Sequence, residues 1–481
     1  MRAPKHRLPN FSLLPEPPLA FHPEREEDSS IHPLIGLRNF GPYSRGIQLS
    51  APDPIRFAVI CPEGRLTAVT TLISQLQRTQ EPRERMDYLA RFEGFSQVFG
   101  VGLNCPNTVR DPRVFTIAWT DLRAALDSET PHERLAELVH SVVRRLDTIQ
   151  ALFDVALLYL PECLATGFRS PPSDELSDFD LHDSVKALCS NLRIPLQILN
   201  DAAINYFCRC SVAWRLSLAL YAKAGGTPWK LADFNERTAY VGLSYCLRKG
   251  TNKNFVTCCS QIFDAQGTNL EFLLYETHDG RYEGRNPYLP REDMSRVMSR
   301  TLSLYQRQKV QPPARLVVHK TTSFTREEID GCIDALSSVD DLELLSIEQS
   351  TPWRGVRIDA GPPHEKKGRP ASYPVFRGSV LPVSDFSYLL WTQGSCKLPN
   401  GKIFYKEGKA IPQPILVTRH LGTGDYHQGA AEILGLTKMD WNNDSLYNFM
   451  PVTNHYASVL AAIVKRMGSL SATPYNFRYF M

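Results

Sequence analysis

His182 and Lys186, four residues apart in LHDSVKALCSNLRIPLQILND, are the first residues whose types and spacing suggest chemistry. Residues four apart on a helix project from one face, which would set an imidazole beside an ammonium. Gln197 lies on the apolar run that follows, and Lys223 lies near the end of the next helical stretch, in LYAKAGGTPWKL. Lysine, histidine and amide donors gathered at the end of an α/β sheet suit a terminal phosphate, which offers several acceptor oxygens and about −2 charge. On spacing alone such a pair is more often a solvated helix face. The basic group Lys366, Lys367 and Arg369 reads as an exposed loop that at most touches a phosphate backbone. The sequence contains no G-x-G-x-x-G, Walker A loop, H-E-x-x-H or G-x-S-x-G.

The elements that must position these residues fall into two patterns. From Arg56, short apolar runs (RFAVIC, VFGVG, VFTIAW, FDVALLYLP, IPLQIL) alternate with helical stretches, the rhythm of a parallel sheet with crossover helices. The clearest helix is His132 to Ile149, where Leu135, Leu138, Val139, Val142, Val143 and Leu146 make one apolar stripe behind Pro131. A second helix is expected from Ala202 to Lys223, ended by Gly225-Gly226. After Leu231 the order changes. Strands at Thr238 to Cys246, Phe255 to Phe263 and Leu270 to Tyr275 read as a meander, followed by a helix at Arg291 to Gln308, a strand at Leu316 to His319 and a helix at Thr325 to Leu336. That is the order of an RNase H-like fold. The predicted organisation is a proline-rich extended arm over 1–50, a Rossmann-like α/β domain over 51–230 and an RNase H-like α/β domain over 231–481.

The chain has 481 residues, 43% of them hydrophobic and 22% charged, which suits two or three globular domains and excludes disorder over most of the length. With 54 Lys plus Arg against 51 Asp plus Glu, the formal charge is +3, so any nucleic-acid site must be a local patch. Eleven scattered cysteines with no C-x-x-C pair speak against a zinc site or disulfide framework and for a reducing cytoplasm. No apolar h-region follows the basic amino terminus, and the most apolar run, 151–161, is broken by Asp154. Neither a signal peptide nor a membrane span is expected.

Three longer strings carry a family resemblance. LALYAKAGGTPWKL resembles the junction between the MID and PIWI domains of prokaryotic Argonautes. LVVHKTTSFTREEIDG resembles the fourth-strand segment of their PIWI domain, and LTKMDWNNDSLYNFMPVTNHYASVLAA its carboxyl-terminal segment. The resemblance covers roughly residues 50 to 481. It implies a MID domain over 51–230 and a PIWI domain over 231–481, without room for amino-terminal and PAZ domains, as in short prokaryotic Argonautes.

Carried over residue by residue, the resemblance implies that His182, Lys186, Gln197 and Lys223 hold the 5′-phosphate of a guide strand, with His182 where the family often has tyrosine. It also implies that the carboxylate of Met481 helps to bind Mg²⁺ beside that phosphate. The family's nuclease carboxylates fall on Ser244, Thr321 and Ser458, hydroxyl residues that cannot collect two hard cations. The fourth acidic position falls on either Glu283 or Glu292. The implied protein is a catalytically inactive sensor that binds guide RNA and complementary single-stranded DNA. It would act in the cytoplasm with an APAZ-domain effector (a sirtuin-type or TIR NAD hydrolase, or a nuclease) in defence against plasmids or phages. The alternative is a guided endonuclease with an atypical PIWI metal site.

Overall fold

A computed structural model of the chain describes residues 10–45, 51–170, 179–232, 237–249, 254–264, 269–277, 281–283, 286–309, 311–359, 361, 368–398, 401–405, 411–465 and 475–481. The chain divides into two compact units. One comprises residues 20–230 with 441–444 and 459–481; the other comprises 1–19, 231–440 and 445–458.

The proline-rich amino-terminal stretch is not extended throughout. After the short strand β1 (Ser12–Leu13), helix α1 spans Pro33–Phe40. Pro33 takes the first helical position, where its missing N–H costs nothing, and the His32 ring accepts a hydrogen bond from the Ile35 N–H. Leu34 and Leu37 are buried beneath it.

The first unit is built on β2 (Ile55–Pro62), β3 (Leu103–Asn104), β4 (Val114–Ile117), β5 (Val155–Tyr159) and β6 (Leu196–Leu199). The sheet order is β3-β2-β5-β6 with β4 also paired to β2, and every pairing is parallel. Its helices are α2 (Leu66–Leu76), α3 (Phe95–Phe99), α4 (Trp119–Leu126), α5 (Pro131–Arg145), α6 (Leu181–Leu192), α7 (Asp201–Asn205) and α8 (Arg209–Lys223). The stripe on α5 lays Leu135, Val139, Val142 and Val143 onto Ala156 and Leu158 of β5 in one apolar core. This is a Rossmann-like α/β unit. Two expectations need correcting. The apolar run VFGVG is no strand, because its first two residues end α3 and Gly100, at φ +74°, caps that helix in the left-handed region. The expected helix from Ala202 to Lys223 is two helices, because the Arg209 guanidinium donates to the carbonyls of Ala203 and Ile204 at 2.9 and 3.0 Å and closes α7.

The second unit is built on a mixed sheet that has nine strands among the described residues. Its strands after β1 are β7 (Thr238–Lys249), β8 (Asn254–Phe263), β9 (Asn269–Thr277), β10 (Arg315–Lys320), β11 (Asp341–Glu348), β12 (Ser379–Pro382), β13 (Ser387–Leu390) and β14 (Ile415–Leu421). The order is β1-β12-β13-β14-β11-β10-β7-β8-β9. Strands β7, β8 and β9 form an antiparallel meander, and β7, β10 and β11 are parallel. The five strands β7 to β11 thus run 3-2-1-4-5 across the sheet, the RNase H-like arrangement. Helices α9 (Arg291–Gln308) and α10 (Arg326–Ala335) cover it, and α11 (Tyr426–Leu436) and α12 (Val452–Val464) follow. Gly242 on β7 is required there, since a β-carbon would meet the Thr453 carbonyl oxygen at 2.2 Å.

Glu16 fastens the amino-terminal strand to this unit. Its carboxylate takes Arg377 Nε at 2.9 Å and Lys438 Nζ at 3.0 Å, and both basic side chains have no exposure. Burial opposes the charge on Glu16, yet Arg377 and Lys438 together hold its pKa below the ordinary value. Removing one partner of a buried ion cluster strands the others. Glu16→Gln should therefore lower unfolding free energy by about 3–5 kcal/mol in denaturant titrations. Because the folded-state pKa is depressed, this contribution is present at neutral pH and is lost as pH falls below the ordinary carboxylate range. Equal acid sensitivity of the native protein and the variant would contradict the assignment.

Candidate functional site

Helix α6 starts where Asp180 caps it, accepting from the N–H groups of His182 and Asp183 at 2.9 and 3.4 Å. It ends at Arg193, whose φ of +57° turns the chain toward β6. Lys186 lies on its buried face and Lys223 lies in the last turn of α8, and both are essentially without exposure. Their ammonium groups converge on one atom, the main-chain oxygen of Met481. Lys186 Nζ donates to it at 2.7 Å, and Lys223 Nζ donates to it as well. Lys186 also donates to the Leu196 carbonyl at 2.7 Å. Met481 is held there by the turn Phe477–Tyr479, with Phe477 packed on Trp441 and the Tyr475 hydroxyl bonded to Asn191 of α6 at 3.2 Å.

Two ammonium groups that meet one Met481 oxygen keep a net positive charge even when that oxygen belongs to a carboxylate, which brings a single negative charge. Among the described residues no aspartate or glutamate pairs with either lysine. Burial pushes Lys186 down to about pKa 8, while burial and then repulsion from Lys186 push Lys223 well below the ordinary lysine value. Ser190, one helical turn beyond Lys186, is fully buried, and its hydroxyl has no partner among the described residues. A buried group of donors with surplus positive charge has the chemistry to accept an anion.

The other two predicted phosphate ligands point elsewhere. His182 is exposed on the first turn of α6, its Nδ1 3.3 Å from Asp183 Oδ1. Gln197 directly follows Leu196 on β6 and donates to the Ile198 carbonyl at 2.9 Å. It also lines a cleft of about 460 Å³ with Asn200, Tyr206, Ser211, Arg215 and Asn442. Sequence reasoning missed this cleft because it read α7 and α8 as one helix. The aromatic pair Tyr206-Phe207 between them was the available signal.

Ser244 and Thr321 are neighbours in register, each following the last parallel pair of β7 and β10, Leu243 with Lys320. Ser458 is exposed on α12. Beside Thr321 lies a buried ion pair, Lys320 with Glu328 at 2.7 Å. Glu328 is committed further, accepting from the Tyr245 hydroxyl at 2.8 Å and from the Thr325 N–H at 3.0 Å in the capping box of α10. Glu292 is exposed beside Arg296, while the side chain of Glu283 and residues Lys366 and Lys367 lie outside the described residues. Among the described residues the group of His, Cys, Asp and Glu close enough to share a cation is Asp180, His182 and Asp183, which lies on α6 and not at these strand ends. No described helix is long and apolar enough to cross a membrane.

No family model matches the sequence. The chain is 24% identical over 296 residues to the protein argonaute of Cereibacter sphaeroides, an alignment that covers 58% of this chain and 36% of that relative. Its fold matches Clostridium butyricum Argonaute bound to a guide DNA and a 19-mer target DNA, with a TM-score of 0.63 at 13% identity, over 96% of this chain and 54% of that one. Aquifex aeolicus Argonaute gives 0.61 at 16% identity over 98% and 57%, and Drosophila Piwi 0.62 at 13% over 98% and 56%. The chain thus spans little more than half the length of these solved structures and about a third of the curated relative. It is Argonaute-like in sequence, with the α/β fold shared by Argonaute and Piwi proteins.

The depressed lysine carries a pH signature. Between about pH 8 and 10.5 the unfolded chain binds a proton that folded Lys186 does not, so stability of the ligand-free protein should rise with pH across that window. Lys186→Met should remove that increment from thermal or denaturant unfolding profiles. Superimposable pH slopes for the two proteins would show that Lys186 is not the group concerned.

Proposed function

We propose that this chain holds a short guide strand by its 5′-phosphate, pairs it with a complementary target and signals the match to a partner subunit. The observation that supports this reading is the convergence of Lys186 and Lys223 on Met481, a buried cationic seat that lacks an acidic side chain among the described residues. A phosphate monoester supplies the missing charge and several acceptor oxygens. His182 and Gln197 stand on the same two elements, α6 and β6, and in this reading turn toward the strand as it binds. Mg²⁺ between the phosphate and Met481 belongs to the same proposal. The described lysine seat offers it one protein oxygen, which already accepts from two ammoniums, so phosphate and water would complete its shell.

The guide is proposed to be RNA and the target single-stranded DNA, with an APAZ-domain effector as the partner in a cytoplasmic heterodimer that defends against plasmids or phages. Base pairing then reads the sequence while the protein grips phosphate and shape. Any catalysis, such as NAD hydrolysis by a sirtuin-type or TIR subunit or cutting by a nuclease subunit, is assigned to that partner. What supports an inactive PIWI site is its chemistry. Hydroxyls stand at 244, 321 and 458, where two divalent ions would need carboxylates.

A 5′-phosphorylated RNA should bind far more tightly than its 5′-hydroxyl counterpart, each charged hydrogen bond contributing about 1.5–3 kcal/mol. The preference should vanish in Lys186→Ala, Lys223→Ala; equal affinities of the native protein for the two strands would exclude the site. With guide, matched target and Mg²⁺ or Mn²⁺, this chain should leave the target intact on a denaturing gel. Cutting at one defined phosphodiester, abolished by Ser244→Ala or Thr321→Ala, would establish the endonuclease alternative.

A further inference from the structure

Ser12, His427 and Asp425 form a chain of hydrogen bonds within the second unit. The Ser12 hydroxyl lies 3.0 Å from His427 Nε2, and His427 Nδ1 lies 3.2 Å from Asp425 Oδ1. Asp425 is the N-cap of α11 and also accepts from the His427 N–H at 3.1 Å, so it holds this residue by its backbone and by its ring. The Tyr426 ring stacks on that imidazole, with centroids 4.1 Å apart. The His427 N–H keeps the pKa of Asp425 below the ordinary carboxylate value, and an ionised carboxylate can only accept. Nδ1 therefore carries the proton of the neutral ring, and Nε2 is left to accept from the Ser12 hydroxyl. The imidazole is 40% exposed and Ser12 is half-buried, so the pair is open to solvent.

A serine whose hydroxyl donates to an imidazole that a carboxylate orients is the arrangement of an activated nucleophile. Strand β1 ends the sheet among the described residues, and the bond from the Leu14 N–H to the Gly378 carbonyl at 2.9 Å fixes its alternation against β12. Ser12 and Leu14 thus stand in hydrogen-bonded pairs, and the intervening Leu13 N–H turns away from β12 toward the sheet edge. It offers a developing oxyanion one backbone donor, from the residue after the serine, where acyl-transfer enzymes gather two. We propose that Ser12 is a self-acylating site that takes one acyl group from an activated carboxylic ester. Ser12 Oγ attacks the carbonyl carbon as its proton passes to His427 Nε2. The bond from that carbon to the leaving alcohol oxygen then breaks, and His427 returns the proton to the alcohol. With a single oxyanion donor the acyl group stays on the serine rather than turning over. Acylated Ser12 has no proton to donate to His427, so the modification acts on the tie between β1 and α11. The site shares no residue with the lysine pair.

The test treats the full chain with p-nitrophenyl acetate, follows nitrophenolate release by absorbance and locates the acetyl group by peptide mass spectrometry. The native protein should release a burst of one nitrophenolate per chain and carry acetyl on Ser12, while the exposed Ser74 and Ser96 stay unmodified. Ser12→Ala should abolish the burst. His427→Gln keeps a hydrogen-bonding side chain that cannot take the proton, and should slow acetylation of Ser12 about a hundredfold. Circular dichroism spectra that match the native protein's verify that both variants are folded. Acetylation of Ser12 no faster than that of Ser74 or Ser96 in the native protein, or an unchanged rate at Ser12 in His427→Gln, would overturn the proposal.

Discussion

Two buried ammonium groups that share a single oxygen set the terms for the first unit. Lys186 and Lys223 are out of water, repel each other and meet no acidic side chain among the described residues. Such an arrangement costs folding free energy that the surrounding packing has to supply. The supports are visible: α6 begins at the Asp180 cap, α8 presents a nearly all-buried face, and the aromatic carboxyl-terminal turn brings Met481 to both lysines. On the proposed reading, an anion with several oxygens would relieve the repulsion and satisfy both donors, and its binding would stabilise the fold.

Strand order in the second unit fixes where Ser244 and Thr321 stand without fixing their chemistry. Ser244, in the middle of β7, and Thr321, just beyond β10, both follow the last parallel pair of those strands. Lys320 and Glu328 neutralise each other on the face of the sheet that Leu243 and Tyr245 share, among the Tyr245, Tyr288 and Phe324 rings. The fold needs the parallel register of β7 and β10 and is indifferent to the residues that follow it. The same sheet can therefore carry metal chemistry or carry none.

Much of the fold was legible where one period ran long enough to identify an element. The stripe from Leu135 to Leu146 gave α5, and the alternation after Thr238 gave the meander, because each buries one face. The break at 206–208 was not legible, since the apolar pattern continues through it and Arg209 ends α7 through a contact that only the folded chain creates. VFGVG misled for another reason: five apolar residues fit a strand or a short helix equally, and Gly100 decided for the helix. Within the site, Lys186 and Lys223 were identifiable as residues, but their common partner at Met481, 258 residues beyond Lys223, depends on tertiary structure. The unpartnered hydroxyl of Ser190 left no trace in the sequence.

The central claim is that the lysine pair exists to hold a strand end. The most direct measurement is the chemistry of the nucleic acid that accompanies the protein when it is purified from its native cells, read by end-labelling with and without prior phosphatase treatment. The account requires short strands that label at the 5′ end only after phosphatase treatment, and that are lost from a Lys186→Ala, Lys223→Ala protein. Strands that label equally without phosphatase, or equal recovery from the variant, would contradict it.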